Sequence, residues 1–381
     1  MNNPFSNLSK IFSIPKGAFS SKKEESVLGI DIGSSSIKVV QIKKKKGKAV
    51  LETYGTLALG PYAGGDVGRL TNLEPGVLST ALTDLIKEAG VSTNVGAVSI
   101  PSSASLIFII ELPMGIDEKQ LPSIIQTEAR KYIPVSINEV TLDWWIIPQR
   151  ERELGDNTSS QNTQQPTAQK MEILVAAIHN ETIEKYKNIA SSTSVSPLFF
   201  EIEVFGSVRS TFSHDLSPTL LVDMGAMKTK LSIVEFGIVK KFHIVNRGSY
   251  DITNSIASAL SVPFSKAESM KREIGLLGKA EEKTVSDIAR LSVDFIFAET
   301  NSVILAYERK YNRPITKIVF VGGGSLLKGL LDYSKNTFKA NVVSGNSFAK
   351  VEAPAFLQEV LTEAGPEFSV ALGTALRAIG E

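Results

Sequence analysis

The 381-residue sequence contains no cysteine. That excludes disulfides and thiolate sites, and it fits a reducing compartment. Histidine is nearly as scarce. His179, His214 and His243 are the only three, and no two stand at metal-ligand spacing, so each reads as structural or solvated. There is almost no charge imbalance: the formal net charge is +1, which provides no global field to draw nucleic acid. No apolar run approaches the roughly 20 residues that a membrane-spanning helix needs. The opening MNNPFSNLSKIFSIPKG lacks the continuous apolar core of a signal peptide. These absences point to a soluble, cytoplasmic protein.

Hydrophobic residues make up 43% of the chain and charged residues 21%, enough to bury a substantial core across two or three domain-sized units. Residues 1–26, rich in Ser, Asn and Lys, are expected to form a mobile tail. Val27 to Leu59 reads as three antiparallel strands, with the lysine run Lys43 to Lys48 as a solvated turn. Pro75 opens a helix, and Asn94 to Ile100 is the next strand. A strand at Ser105 to Leu112, a helix at Asp117 to Tyr132, and strands at Val140 to Pro148 and Met171 to Ile178 form a second block. A helix to about Ala190 completes it. Gln149 to Gln169 within this block is low-complexity and expected to be disordered. From Leu198 a second strand-rich series begins. It includes a long amphipathic helix at Ser286 to Tyr311 and a buried strand at Ile318 to Val321.

Three stretches carry chemistry. LGIDIGSSSIKVV at Leu28 is an apolar strand ending on Asp31, then Gly33, the hydroxyl residues Ser34, Ser35 and Ser36, and Lys38 on the return strand. Turn amides and hydroxyls can donate to phosphate, the lysine can neutralise charge, and the aspartate can hold Mg²⁺ directly or through water. LVDMGAMKTKLSIV at Leu221 repeats the pattern: Asp223 and Gly225 match Asp31 and Gly33, and Lys230 falls at nearly the offset of Lys38. Such internal repetition implies two similar halves, each offering a phosphate-facing turn. IVFVGGGSLLKGL at Ile318 follows a buried strand with Gly322, Gly323 and Gly324, then a helix expected from Ser325. That arrangement lets backbone approach a nucleotide closely.

Together the three stretches resemble the phosphate 1, phosphate 2 and adenosine motifs of the actin, Hsp70 and sugar-kinase superfamily, over nearly all of Val27 to Gly380. The resemblance implies an α/β actin-like ATPase fold, with two ribonuclease-H-like domains around a nucleotide cleft and a small α/β subdomain inserted in the first half. The implied division is 27–104 (completed by about 364–381), an inserted subdomain 105–196 containing loop 149–169, a second half 197–248 and 312–363, and a helical subdomain 249–311. The implied cofactors are ATP and Mg²⁺. Asp31 and Asp223 would hold the hydrated metal. Gly33, Ser34, Ser35, Ser36 and Lys38 would face the β- and γ-phosphates, and Gly225, Ala226 and Lys228 would close from the other side. Gly322, Gly323, Gly324 and Ser325 would face the α-phosphate and adenosine. SKAESMKR at Ser265 resembles the family helix over the base, which implies that Glu268 bonds the ribose and Lys271 covers the adenine. Read by residue type alone, those two are an exposed acidic and basic helical turn. Glu203 falls where bacterial actins orient the attacking water.

Within the superfamily the chain is most similar to the PilM family, the actin-like cytoplasmic proteins of type IV pilus assembly. Beyond GIDIGSSSIKVVQI and VFVGGGSLLKGL, this rests on EIEVFGSVRS at Glu201 and on EARKYIPVSINEVTLDW at Glu128. The resemblance implies an ATP-binding scaffold with at most slow ATPase activity. It would be peripheral to the inner membrane through a PilN-like membrane protein whose cytoplasmic tail it binds, possible other pilus components aside. Arg130, Tyr132 and Ile133 would line or support that contact. The alternatives are an FtsA-like division actin and a sugar-kinase-type phosphotransferase. The ending FSVALGTALRAIGE reads as a packed core helix, unlike the membrane-binding tail of FtsA, and no carboxylate base stands in a substrate-shaped context.

Overall fold

The computed structural model describes residues 26–117, 119–147, 170–213 and 217–380. The expected tail (apart from Ser26), the polar insertion 149–169 and His214 lie outside the described residues.

The first half opens with β1 (Ser26–Ile32), β2 (Ser36–Lys45) and β3 (Lys48–Ala58), an antiparallel ribbon. Helix α1 (Pro75–Glu88) follows, with proline in its first turn where no amide partner is lost and with Leu78, Ala81, Leu82 and Leu85 buried at helical spacing. Strand β4 (Val95–Ile100) returns parallel to β1. The chain then leaves to build the inserted subdomain: β5 (Ser105–Pro113), α2 (Leu121–Ala129), β6 (Val140–Ile146), β7 (Lys170–His179) and α3 (Asn180–Ser192). It comes back as β8 (Ser196–Ile202) and α4 (Glu203–Thr211). The second half is β9 (Thr219–Met224), β10 (Thr229–Glu235), β11 (Ile238–Val245), α5 (Ser249–Leu260), α6 (Phe264–Ile274), α7 (Lys283–Tyr311), β12 (Lys317–Val321), α8 (Leu330–Thr337) and β13 (Asn341–Ser344). Helices α9 (Gln358–Ala364) and α10 (Ser369–Ala378) end the chain.

The two large sheets have equivalent orders, β3-β2-β1-β4-β8 and β11-β10-β9-β12-β13, so the repeat seen in two short motifs extends to both whole sheets. Register agrees as well. Asp31 stands opposite Lys38 across one antiparallel pair, and Asp223 stands opposite Lys230 across the other. This topology moves one expected boundary. Residues 197–211 belong to the first half, because β8 pairs in parallel with β4 and α4 packs on α10. The second half starts at about Thr219.

Two further expectations shift. The helix expected over Asp117 to Tyr132 is confined to Leu121–Ala129, and Arg130 to Ile133 turn away from it. The helix expected from Ser325 is a single 3-10 turn, Gly323–Leu326. Gly329, at φ +81°, breaks the run before α8 begins.

β1 is buried on both faces from Val27 onward. Leu28, Ile30 and Ile32 face the core shared with α1, while Val27 faces the cluster built by α10. The first of these cores also takes in Leu174, Ala176 and Ile178 from the inner face of the inserted sheet, together with Val234, Ile238 and Val319 of the second half. The inserted subdomain is therefore packed against both halves, and it keeps a separate small core under α2. Helices α4 and α10 cross in near backbone contact, since a Cβ on Gly373 would lie 1.8 Å from the Gly206 carbonyl oxygen. Glycine at both positions is what permits that crossing, and any side chain there would force the helices apart.

Candidate nucleotide-binding site

The strand ends of both halves converge on a cavity of about 780 Å³, within the usual range for a small-molecule or cofactor site. The two Asp-x-Gly turns are built alike. The Gly33 amide donates to the Ser36 carbonyl at 2.9 Å, and the Gly225 amide donates to the Lys228 carbonyl at 3.0 Å. Those two amides close their own turns, so donors for an anion come from Ser34, Ser35, Ser36, Ala226 and the side chains. Asp31 accepts from the Ser99 hydroxyl at 2.8 Å, and burial pushes its carboxyl above the ordinary range against the pull of Lys38. The Lys38 ammonium donates to the Ser36 hydroxyl at 2.7 Å and lies 3.6 Å from Glu367.

The second turn is wired differently. Lys230 donates to Asp223 at 3.0 Å and to Glu203 at 2.9 Å, while the other Glu203 oxygen accepts the Ser102 amide at 2.7 Å. Burial works against a charged Lys230, but Asp223, Glu203 and Asp31 outweigh it and hold the ammonium above its usual range. Gly322, at φ +82°, lies against Asp223: a Cβ there would come within 2.4 Å of its carboxylate. Only glycine fits this position, which brings the Gly322–Gly324 backbone to the cavity wall.

Helix α6 forms the other end. Glu268 accepts from Thr253 at 2.6 Å, Lys271 at 2.7 Å and Arg272 at 2.7 Å. Burial would raise its carboxyl, but Lys271, Thr253 and Arg272 together hold it below the ordinary range. Burial lowers Lys271 in spite of Glu268. Both residues are buried, so the exposed-turn reading of this helix does not hold. The loop after β3 reaches across from the first half. Gly68 packs on the Glu268 carboxylate, and the Arg69 guanidinium sits 4.3 Å above the Phe264 ring.

Of the residues expected at the cleft, Asp31, Gly33 to Ser36, Lys38, Glu203, Asp223, Gly225, Ala226, Lys228, Glu268, Lys271 and Gly322 to Gly324 all line it. Ser325 does not, because its hydroxyl is turned inward to the Gly322 carbonyl at 2.7 Å. Arg130, Tyr132 and Ile133 are away from it in the inserted subdomain. The sequence reading missed Lys230 as a site residue, although its offset from Asp223 signalled it. It also missed Glu367, Ser99 and Thr253, which carry no local signal. Among the described residues no group of three His, Cys, Asp or Glu side chains could hold a metal by itself. Two aspartates ahead of the Asp-x-Gly turns fit Mg²⁺, which commonly takes one or two carboxylates and completes its shell with water and, where one is bound, phosphate.

The chain matches the model of the type IV pilus assembly protein PilM family over residues 29–379. It belongs to that family. A solved PilM-PilN type IV pilus biogenesis complex is similar in fold, with a TM-score of 0.76, 23% identity, and 93% of this chain and 99% of that one covered. The ethanolamine utilization protein EutJ of Carboxydothermus hydrogenoformans (TM-score 0.53, 12% identity, 97% and 94% covered) and ADP-bound MreB5 of Spiroplasma citri (0.50, 11%, 93% and 99%) share the actin-like fold. Cell division protein FtsA of Enterococcus faecalis is 26% identical over 145 residues, and the match spans about a third of each chain (32% of both). The PilM-family chain thus has the actin-like α/β architecture expected from its motifs. None of its helices among the described residues is long and apolar enough to cross a membrane.

Proposed function

We propose that this PilM-family chain is an ATP-held scaffold of the type IV pilus inner-membrane complex, in which the nucleotide holds the two halves closed and turnover is slow. The observation that carries this reading is Lys230. It ties Glu203, the carboxylate expected to orient a water, to Asp223, with the Ser102 amide on the other Glu203 oxygen. The remaining cavity carboxylates are engaged too: Asp31 by Ser99, Glu268 by two cations and a hydroxyl, and Glu367 by Lys38. A general base needs hydrogen-bond reach to the proton it takes and a suitable pKa. Carboxylates held this way favour a scaffold over a sugar-kinase-type phosphotransferase.

In this reading Asp31 and Asp223 hold a hydrated Mg²⁺, which when bound neutralises phosphate charge. Ser34, Ser35, Ser36, Lys38 and Lys228 bind the β- and γ-phosphates. The Gly322–Gly324 backbone supports the α-phosphate and nucleoside, with Glu268 toward the ribose and Lys271 toward the base. The groove between the first half and the inserted subdomain takes the cytoplasmic tail of a PilN-like membrane protein and so places the chain at the inner membrane. The likeness to the fold of a PilM-PilN complex supports that partner. Tyr132, exposed and stacked on Phe108 with ring centroids 4.8 Å apart, and the exposed Arg130 are its candidate contacts. Ile133 is buried in the small core and supports them from beneath.

Two measurements test the proposal. A PilN-tail peptide titrated into the chain with ATP should bind, and Tyr132→Ala should weaken it; no binding under any nucleotide condition removes the partner. Steady-state ATP turnover should be slow, and about ten per second or faster, ordinary enzyme territory, removes the scaffold.

A further inference from the structure

The inserted subdomain forms part of the wall of the nucleotide cleft. Helix α3 presents Thr182, Lys185 and Tyr186 to the cavity, positions that share one helical face. The helix is firmly seated: Ile183, Tyr186 and Ile189 belong to the first-half core. Tyr186 is only 7% exposed. Its hydroxyl has no hydrogen-bond partner among the described residues, and Lys185 has no ion-pair partner among them. Elsewhere in the cleft Lys38, Lys230 and Lys271 are all engaged. A hydroxyl at the cavity wall that no described residue engages is free to donate, and beside an ammonium with no ion-pair partner it is suited to a ligand rich in acceptor oxygens.

Position narrows the ligand. Helix α3 packs on β4, which gives Ser99 to Asp31 and, just past its end, the Ser102 amide to Glu203. Lys185 and Tyr186, which line the cavity with Pro101, Ser103 and Ala104, therefore stand at the end of the cleft where the two Asp-x-Gly turns meet. The chemistry is that of a donor pair for an anion held between those turns. Repulsion from Asp31 and Glu203 is offset by Lys185 together with Lys38 and Lys228, which line the same cavity.

We propose that Tyr186 and Lys185 complete the subsite for the terminal phosphate, so that the inserted subdomain, in addition to the phosphate turns, distinguishes a nucleoside triphosphate from a diphosphate. This rests on the reading of the cleft as an ATP site and adds the group that senses the third phosphate. It also links the phosphate end of the cleft to the subdomain that carries Arg130 and Tyr132.

The test is equilibrium binding of Mg²⁺–ATP, a non-hydrolysable ATP analogue and Mg²⁺–ADP to the full chain, to Tyr186→Phe and to Lys185→Met. A hydrogen bond to a charged group sets the scale, so each variant should lose roughly tenfold in triphosphate affinity while ADP affinity stays within about twofold. Phenylalanine keeps the packed ring. Lys185 is only half-buried, so the second variant reports even where the first folds poorly. An unchanged ATP-to-ADP ratio in both variants, or equal losses for the two nucleotides, overturns the subsite alone. An unaltered chain that binds neither nucleotide overturns the reading of the cleft and the subsite with it.

Discussion

Lys230→Met is the most informative single substitution in the cleft. In the native chain the ammonium bridges Glu203 and Asp223 at 2.9 and 3.0 Å, and the three side chains are 17%, 10% and 9% exposed. Removing the cation leaves two nearly buried carboxylates facing each other, with Asp31 close enough to add to the repulsion. Breaking a buried ion pair in this way costs about 3–5 kcal/mol, because the uncompensated charge is worse than no charge. With an unfolding entropy of roughly 2.1 cal/mol/K per residue over a chain of 381 residues, that is a fall of about 4–6 °C in melting temperature.

A second arm makes the prediction specific. Without nucleotide, millimolar Mg²⁺ should leave the native chain's melting temperature unchanged, since Lys230 already satisfies the carboxylates. The same Mg²⁺ should recover most of the loss in Lys230→Met, where oxygen ligands for a hard cation stand free. Thermal unfolding followed by circular dichroism, with and without Mg²⁺ and with Lys230→Arg as the charge-preserving control, reads both arms. Equal melting of variant and native chain, or equal stabilisation of the two by Mg²⁺, would refute the role assigned to Lys230.

Other consequences are as direct. Asp31→Ala and Asp223→Ala should each weaken Mg²⁺–ATP by roughly ten- to a hundredfold while keeping a native circular dichroism spectrum; retained affinity in both, measured by calorimetry, removes the metal assignment. Asp143 gives a pH dependence. Burial pushes its carboxyl up to about 7. Between about pH 4 and 7 the folded chain keeps a proton that the unfolded chain has released, so this group's contribution to stability falls as pH rises through that window. Asp143→Asn should therefore stabilise the fold at pH 8 by on the order of 2–4 kcal/mol, read as a higher melting temperature, and change little near pH 4. A uniform shift across that range would count against the assignment.

The two Asp-x-Gly turns were readable because their pattern is local: Asp31, Gly33 and Lys38 lie within eight residues, and the copy at Asp223 repeats the spacing. The inserted subdomain was readable for a related reason. Its strand and helix runs are set apart along the chain, and β5 and β7 are strongly apolar. Partnership between sheets was not. β8 and α4 look like the start of a second half, since strand then helix repeats the earlier pattern. Only the parallel pairing of Val98 with Phe200 and of Ile100 with Ile202, across more than a hundred residues, assigns β8 to the first sheet. Ser325 misled because a serine after three glycines suits a helix start. Its hydroxyl serves the turn itself, and the positive φ at Gly329 delays the helix. Glu367 and Tyr186 had no sequence signal, because what makes them cleft residues is the packing of α10 and α3.

Duplication also explains why the two half-sites should behave differently. Backbone register is the same in both, but the lysines have different company. Lys38 is held by a neighbouring hydroxyl and, at 3.6 Å, by Glu367. It can turn to an arriving phosphate at little cost. Lys230 cannot, because turning away would strand Glu203 and Asp223. Glu203 begins α4, which packs in the first half, whereas Lys230 is on β10 of the second, so their ion pair crosses the cleft. The Gly322 amide crosses as well, to the Pro366 carbonyl at 2.8 Å, and Arg69 over Phe264 makes a third tie near α6. Closure therefore has protein contacts at both ends of the cavity before any ligand contributes. A nucleotide binding between such ties adds to a closed state that already exists, which is the behaviour required of a clamp and a poor arrangement for rapid release of product.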